Sequence, residues 1–242
     1  MDWYSPTGEE SEDCDGDFVE TCESHVSTIE PVPRSLSCDA IVLATYNVGE
    51  ADRFCILFTK EHGRLAARAS AARRPGSQLG SSLLPFHRVQ VELREWNNGY
   101  VITGARRHAT CAGTETLPQF LAASELIELL LILLEEGEAL PELFESVAEA
   151  LRSTEPSSLP PTIRILHLLG HMPSTDMPHF SMFNTEEKHC IGKWILGECE
   201  NSSVLSAGAQ KTLSSLCESI LSDHTGKKQR VPTIKRAMAL VI

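Results

Sequence analysis

The sequence predicts an α+β protein: an acidic, disordered amino-terminal extension, then a five-stranded β-barrel, then an all-α domain. Three observations carry that expectation. Residues 1–37 hold ten acids against the single base Arg34 and few large apolar side chains, too little apolar surface to offset the entropy of ordering. From Cys38 to Ala109 the chain breaks into short β-type runs separated by turn residues. From about Thr114 onward apolar residues recur at spacings of three and four. The expected boundaries are 1–37 for the extension, 38–112 for the barrel and 113–242 for the helical domain.

The strands are expected at Ala40–Tyr46, Arg53–Thr59, Leu65–Ser70, Arg88–Glu95 and Tyr100–Arg106. Val89, Val91 and Leu93 alternate with Gln90, Glu92 and Arg94, which gives the fourth strand one buried and one wet face. Glu61-His62-Gly63 reads as a hairpin tip, and Asn98-Gly99 supplies the positive backbone angles of a second, tight hairpin. The connection from Ala71 to Pro85 is rich in small residues, with two prolines and two glycines, so it crosses the barrel as an irregular or short helical link. Five strands with one such interruption resemble an OB-fold.

In the second half, Leu117, Phe120, Leu121, Leu126, Leu129, Leu130 and Leu133 mark the first helix, and Pro141 to Leu151 the second. Pro156, Pro160 and Pro161 punctuate the chain before a short buried helix (Ile163, Ile165, Leu166, Leu168, Leu169) that Gly170 and Pro173 end. His171 to Phe183 reads as irregular. Further helices are expected at Glu186–Leu196, Ala207–Leu221 and Thr233–Leu240.

The net charge is −12, yet the barrel segment is a basic island. It holds Arg53, Lys60, Arg64, Arg68, Arg73, Arg74, Arg88, Arg94, Arg106 and Arg107 against Asp39, Glu50, Asp52, Glu61, Glu92 and Glu95; ten minus six is +4. Guanidinium groups offer planar, bidentate donors that keep their charge at any working pH, which suits phosphate. The candidate nucleic-acid contacts are Arg53, Lys60, Arg64, Arg68, Arg73, Arg74, Arg88, Arg106 and Arg107. Strand alternation sends Arg106 and Arg107 to opposite faces. Tyr46, Phe54, Phe86, Trp96 and Tyr100 are the rings on hand for stacking; Trp96 either stacks a base or packs over the barrel end. Lys227, Lys228, Arg230, Lys235 and Arg236 form a second basic cluster, whereas residues 114–242 as a whole carry seventeen acids and ten bases. The acidic extension is either a phosphate mimic that competes for the basic island or a solubilising appendage.

The longest strongly apolar run, Leu126 to Leu134, is interrupted by Glu128 and falls short of the roughly 18 residues a membrane span requires. An acidic start without a basic flank and apolar run points to the cytoplasm, and the eight scattered cysteines to reduced thiols. No glycine-rich loop ending in Gly-Lys-Ser/Thr, no Gly-x-Ser-x-Gly elbow and no His-Glu-x-x-His helix is present, so a non-enzymatic protein without cofactor is expected.

A family resemblance covers roughly Cys38 to Ile242. Ala40-Ile-Val-Leu43, Gly49-Glu-Ala-Asp-Arg53, Leu57-Phe-Thr-Lys-Glu-His-Gly-Arg-Leu65, Ala72-Arg-Arg-Pro75, Leu79-Gly80 and Leu84-Pro-Phe86 together resemble the OB domain of the bacterial recombination mediator RecO. Arg164-Ile-Leu-His-Leu-Leu-Gly170 with Pro173 looks like a helix and turn of that family's helical domain. The resemblance implies a protein that binds single- and double-stranded DNA, anneals strands, and works with RecR to load RecA onto strands coated by single-strand-binding protein. One departure stands out. Many members carry a four-cysteine zinc site after the Leu-Gly-x-x-Pro turn, but Ser174 to Met182 contains no cysteine; Cys190 and Cys199 remain downstream with His179 and His189 near, and the close cysteine pair is missing. No zinc is expected. Met177, Phe180, Met182 and Phe183 form either a groove for the partner protein's apolar tail or ordinary core. The alternative to a DNA mediator is an adaptor whose barrel binds a protein partner with little DNA affinity.

Overall fold

The computed structural model describes residues 35–97, 99–108, 115–173, 175–198 and 205–225. The basic cluster from Lys227 to Arg236, the helix expected at Thr233–Leu240, Cys199 and nearly all of the acidic extension lie outside these residues.

The described residues begin with β1 (Ser35–Val48), β2 (Asp52–Thr59) and β3 (Gly63–Ala69). A short helix, α1 (Gln78–Ser82), precedes β4 (Arg88–Trp96) and β5 (Gly99–Arg107). The strands close in the order β1-β2-β3-β5-β4, antiparallel throughout except for a short parallel contact of β3 with β5. This order, with a helix between β3 and β4, is the OB-fold. Ser35, Leu36 and Ser37, expected in the extension, instead begin β1 and pair with Arg94, Leu93 and Glu92. The backbone of that segment therefore finds ladder partners that composition alone does not reveal.

Period-two alternation divides each strand between two environments. Cys38, Ala40, Val42, Cys55, Leu57, Ala67, Val89, Val91 and Leu93 point inward and fill the barrel. Burial pushes the Cys38 and Cys55 thiols up to about 11, so both sit as neutral, small hydrophobes. The α1 segment closes one end: Leu83 is fully buried there, and Arg53 Nη1 donates to the carbonyls of Gly80 and Leu83 at 3.1 and 2.9 Å.

The outward residues Ile41, Leu43 and Phe58 belong to a second core shared with the helices. Alternation from Ile41 puts Leu43 on that face, and the bulge between Val42 and Ala44 turns Ala44, opposite Ile56, outward as well. The helical part comprises α2 (Leu117–Leu133), α3 (Pro141–Ala150), α4 (Leu159–Leu168), α5 (Thr185–Leu196) and α6 (Ala207–Thr225). Thr116 and Gln119 form a capping box at the start of α2, and Asn184 and Glu187 do the same for α5. Helix α4 starts four residues before Ile163, because Pro160 and Pro161 fall in its first turn, where a missing N–H costs nothing. Arg164 of α4 donates to the Ile195 carbonyl at the end of α5 and pairs with Glu142 of α3 at 2.6 Å, so the Arg164–Gly170 motif ties three helices together. Phe58 meets Phe144 of α3 with ring centroids 5.6 Å apart, the aromatic centre of the joint between barrel and helices.

Candidate nucleic-acid interface

Strand register, read across the barrel, aligns outward-facing side chains into rows. One row lies beneath the helices: Ile41 pairs with Phe58, and Phe58 with Arg64. Another is open. Tyr46 pairs with Phe54, Phe54 with Arg68, Arg68 with Val101, and Val101 with Arg94. Alternation puts all five outside, since their neighbours Cys55, Ala67, Ile102 and Leu93 are buried within. Trp96, two residues beyond Arg94 on the same face, stands with the Arg94 guanidinium 5.8 Å from its ring centre. Tyr46 is 56% exposed and Trp96 58%.

The expected contact residues separate into four sets. Lys60, Arg64 and Arg88 face the helices. Lys60 Nζ lies 2.7 Å from Glu145, and Arg88 reaches Asp39 at 2.5 Å, Glu145 at 3.1 Å and the face of Phe144 at 5.2 Å. Hydrogen bonding from Lys60, then from Arg88, holds the Glu145 carboxyl below its ordinary range, and the same contact raises Lys60. Arg64 donates to the Leu131 carbonyl at 3.3 Å and lies 3.7 Å from Glu136. These cations join the two halves of the molecule. Arg53 is a structural clamp on α1, as described above.

Arg68, Arg73 and Arg74 gather at the Tyr46 end of the open row. Arg68 is held by Asp52 at 2.5 Å, and Asp52 also accepts from the Ala71 N–H at 2.8 Å. That backbone bond first, then the Arg68 guanidinium, keeps the Asp52 carboxyl below its usual range. Arg73 N donates to Ala51 at 2.8 Å and its guanidinium to Gly49 at 3.1 Å, fastening the β1–β2 turn to the loop after β3. Arg74 is exposed beside it. Arg106 and Arg107 are both exposed further along β5; Arg106 pairs opposite Gln90 on the outer face and Arg107 opposite Val89 on the inner side.

The register adds Arg94, a cation of the basic island outside the expected contacts, and selects Tyr46 from the five candidate rings. Neither carries a motif. Only the register places them in one row with Arg68. Four exposed acids, Glu50, Glu61, Glu92 and Glu95, share the barrel surface, so the local excess of positive charge is modest once Lys60, Arg64 and Arg88 are engaged by the helices.

On the helical side, Phe180 and Phe183 belong to the core, with ring centres 5.9 Å apart, while Met177 and Met182 stand exposed. The four therefore do not form one groove. A cavity of about 60 Å³ lies elsewhere, between α2, α3, α4 and the end of α5, lined by Ala122, Leu126, Glu149, Ala150, Glu155 and Trp194. Among the described residues no three histidine, cysteine or acidic side chains gather as metal ligands would, and Cys190 is buried.

A closed five-stranded barrel of this topology, with arginines and rings on its open flank, defines an OB-fold protein. Residues 34–109, which include the barrel, match the family described as Recombination protein O N terminal. Several proteins named DNA repair protein RecO are similar to this chain. It is 30% identical over 151 residues to the protein of that name from Thermoanaerobacter sp., covering 59% of this chain and 61% of that one. The Geobacter sulfurreducens protein is 31% identical over 153 residues, 58% of this chain and 61% of its own. The Nocardioides sp. protein is 46% identical over 67 residues, 28% of each. The chain therefore spans less than two thirds of the length of these relatives.

Proposed function

We propose that this chain is a DNA-binding recombination mediator in DNA repair. In this reading the barrel holds DNA, and the helical part braces it and meets protein partners. The observation that carries the reading is the open row Tyr46–Phe54–Arg68–Val101–Arg94, flanked by Arg73, Arg74 and Trp96. Arginines attract any backbone regardless of sequence, and rings accept any base, which together suit a protein that handles strands without reading them. Binding two complementary strands at such a surface promotes annealing. The name that the relatives share supports the repair role, and by the family resemblance the proposed partners are RecR, single-strand-binding protein and, indirectly, RecA, in the cytoplasm. No step of this work requires bond-making chemistry by the protein.

One observation favours the second reading, a protein adaptor with little DNA affinity: three of the ten barrel cations are paired with or face carboxylates of the helices. Fluorescence anisotropy with labelled single-stranded DNA across a salt series decides between them. The mediator binds at low salt and weakens with added salt, by about 0.7 logarithmic units per log salt for each phosphate engaged. Arg68→Ala with Arg94→Ala weakens binding and flattens the slope by roughly one to two such contacts. No binding at low salt by the unaltered chain would leave the adaptor.

A further inference from the structure

The two most exposed large rings of the barrel stand at opposite ends of one row of charge. Tyr46 closes the row on β1 and Trp96 lies just beyond Arg94 on β4, each more than half exposed, whereas Phe54 between them is half-buried. Four interstrand steps of roughly 4.8 Å put Arg94 about 19 Å from Tyr46 along the sheet surface. That length falls within the reach of the roughly four to sixteen nucleotides an OB-fold engages. Between the rings lie Arg68 and Arg94, separated by Val101. The order along the surface is ring, ring, cation, aliphatic, cation, ring.

We infer that Tyr46 and Trp96 are specificity-determining residues that make this surface favour unpaired bases over duplex. The inference rests on the DNA-binding reading above and adds to it a ligand preference and the side chains responsible. A duplex presents phosphates to the arginines but keeps its bases stacked on one another, so neither ring has a π-face to meet. A single strand laid along the row sets phosphates against Arg68 and Arg94 while bases at either end stack on Tyr46 and Trp96. Arg94 occupies one side of the Trp96 ring, which fixes the indole and leaves its other face for a base.

The test measures binding of the full chain to a thymidine oligonucleotide of about twenty nucleotides, and to a duplex of the same length, at one low salt concentration. Tyr46→Ala and Trp96→Ala are each expected to weaken oligonucleotide binding on the order of tenfold while duplex binding changes less than about twofold. Trp96→Phe, which keeps a ring, recovers most of the loss. Because both side chains are exposed, thermal midpoints stay near that of the unaltered chain and report that the variants fold. Equal losses on both ligands, or no loss on either, overturn the assignment while leaving DNA binding in place. An unaltered chain that prefers duplex overturns it too. If the unaltered chain binds neither ligand, the assignment and the DNA-binding reading fall together.

Discussion

Two turn glycines illustrate how far single residues are constrained by what lies beyond their own turn. Gly49 has φ +58° and open space where a Cβ would stand; Gly63 has φ +65°, and a Cβ there would come 2.0 Å from the Glu138 carbonyl oxygen. The loop between α2 and α3 thus runs directly over the β2–β3 hairpin, and Gly137 N donates to the Arg64 carbonyl at 3.2 Å. Gly49→Ala should cost about 1 kcal/mol, the penalty of a left-handed non-glycine residue. Gly63→Ala should cost more than about 2 kcal/mol, because backbone must also move. Urea denaturation midpoints check the contrast, and equal shifts would refute it. In the sequence the two glycines look alike, since both sit in turn-like segments. What distinguishes them is a contact between distant parts of the chain. The arginines follow the same rule: residue type announced a basic surface, but Arg53 sits against carbonyls and Arg88 against Asp39 and Glu145, and nothing local to either tells them from Arg74.

Elements were legible where periodicity and punctuation agree. Both Leu117–Leu133 and Pro141–Ala150 follow from apolar spacing and from the proline at the start of the second, and all five strands lie within a few residues of their expected spans. The misses have local causes. The β4–β5 hairpin turns one residue earlier than the Asn98-Gly99 signal suggests: Gly99 pairs with Trp96 inside the ladder, and Asn97 carries the positive φ of 45°. Asparagine tolerates that conformation well enough for the register to choose it over glycine. Helix α5 begins at Thr185, one residue before the expectation, because Asn184 caps it and accepts from Glu187 N at 2.8 Å. Asn184→Ala should lower stability by about 1 kcal/mol. A Gly replacement should cost only a few tenths, read from the same denaturation curves. An alanine variant as stable as the parent would show that the cap contributes nothing.

For the molecule as a whole, the joint between barrel and helices is where stability depends on pH. Glu145 bridges Lys60 and Arg88, and its carboxyl is held below the ordinary value of 4.5 in the folded protein. A carboxyl whose folded pKa is depressed stabilises the fold above its unfolded pKa, and that contribution is lost as pH falls through the folded value. Glu145→Gln removes it. The thermal midpoint of the parent should exceed that of the variant near neutrality, and the gap should close as pH drops below about 4.5. A gap that stays constant through that range would mean the carboxylate's charge is immaterial. Phe58→Ala at the same joint empties a fully buried site and should cost about 3–5 kcal/mol at any pH, which separates packing from charge.

Because Lys60, Arg64 and Arg88 are turned toward the helices, the barrel's electrostatic character is set partly by what is bolted to it. A barrel cut free of α2 and α3 would release Lys60 and Arg64 from their carboxylate partners and leave Arg88 paired only with Asp39, on a flank that the intact chain engages with its helical part. Such a fragment would bind polyanions through a surface with no counterpart in the whole protein, and affinities or mutational maps obtained on it would describe the severed face as much as the natural one.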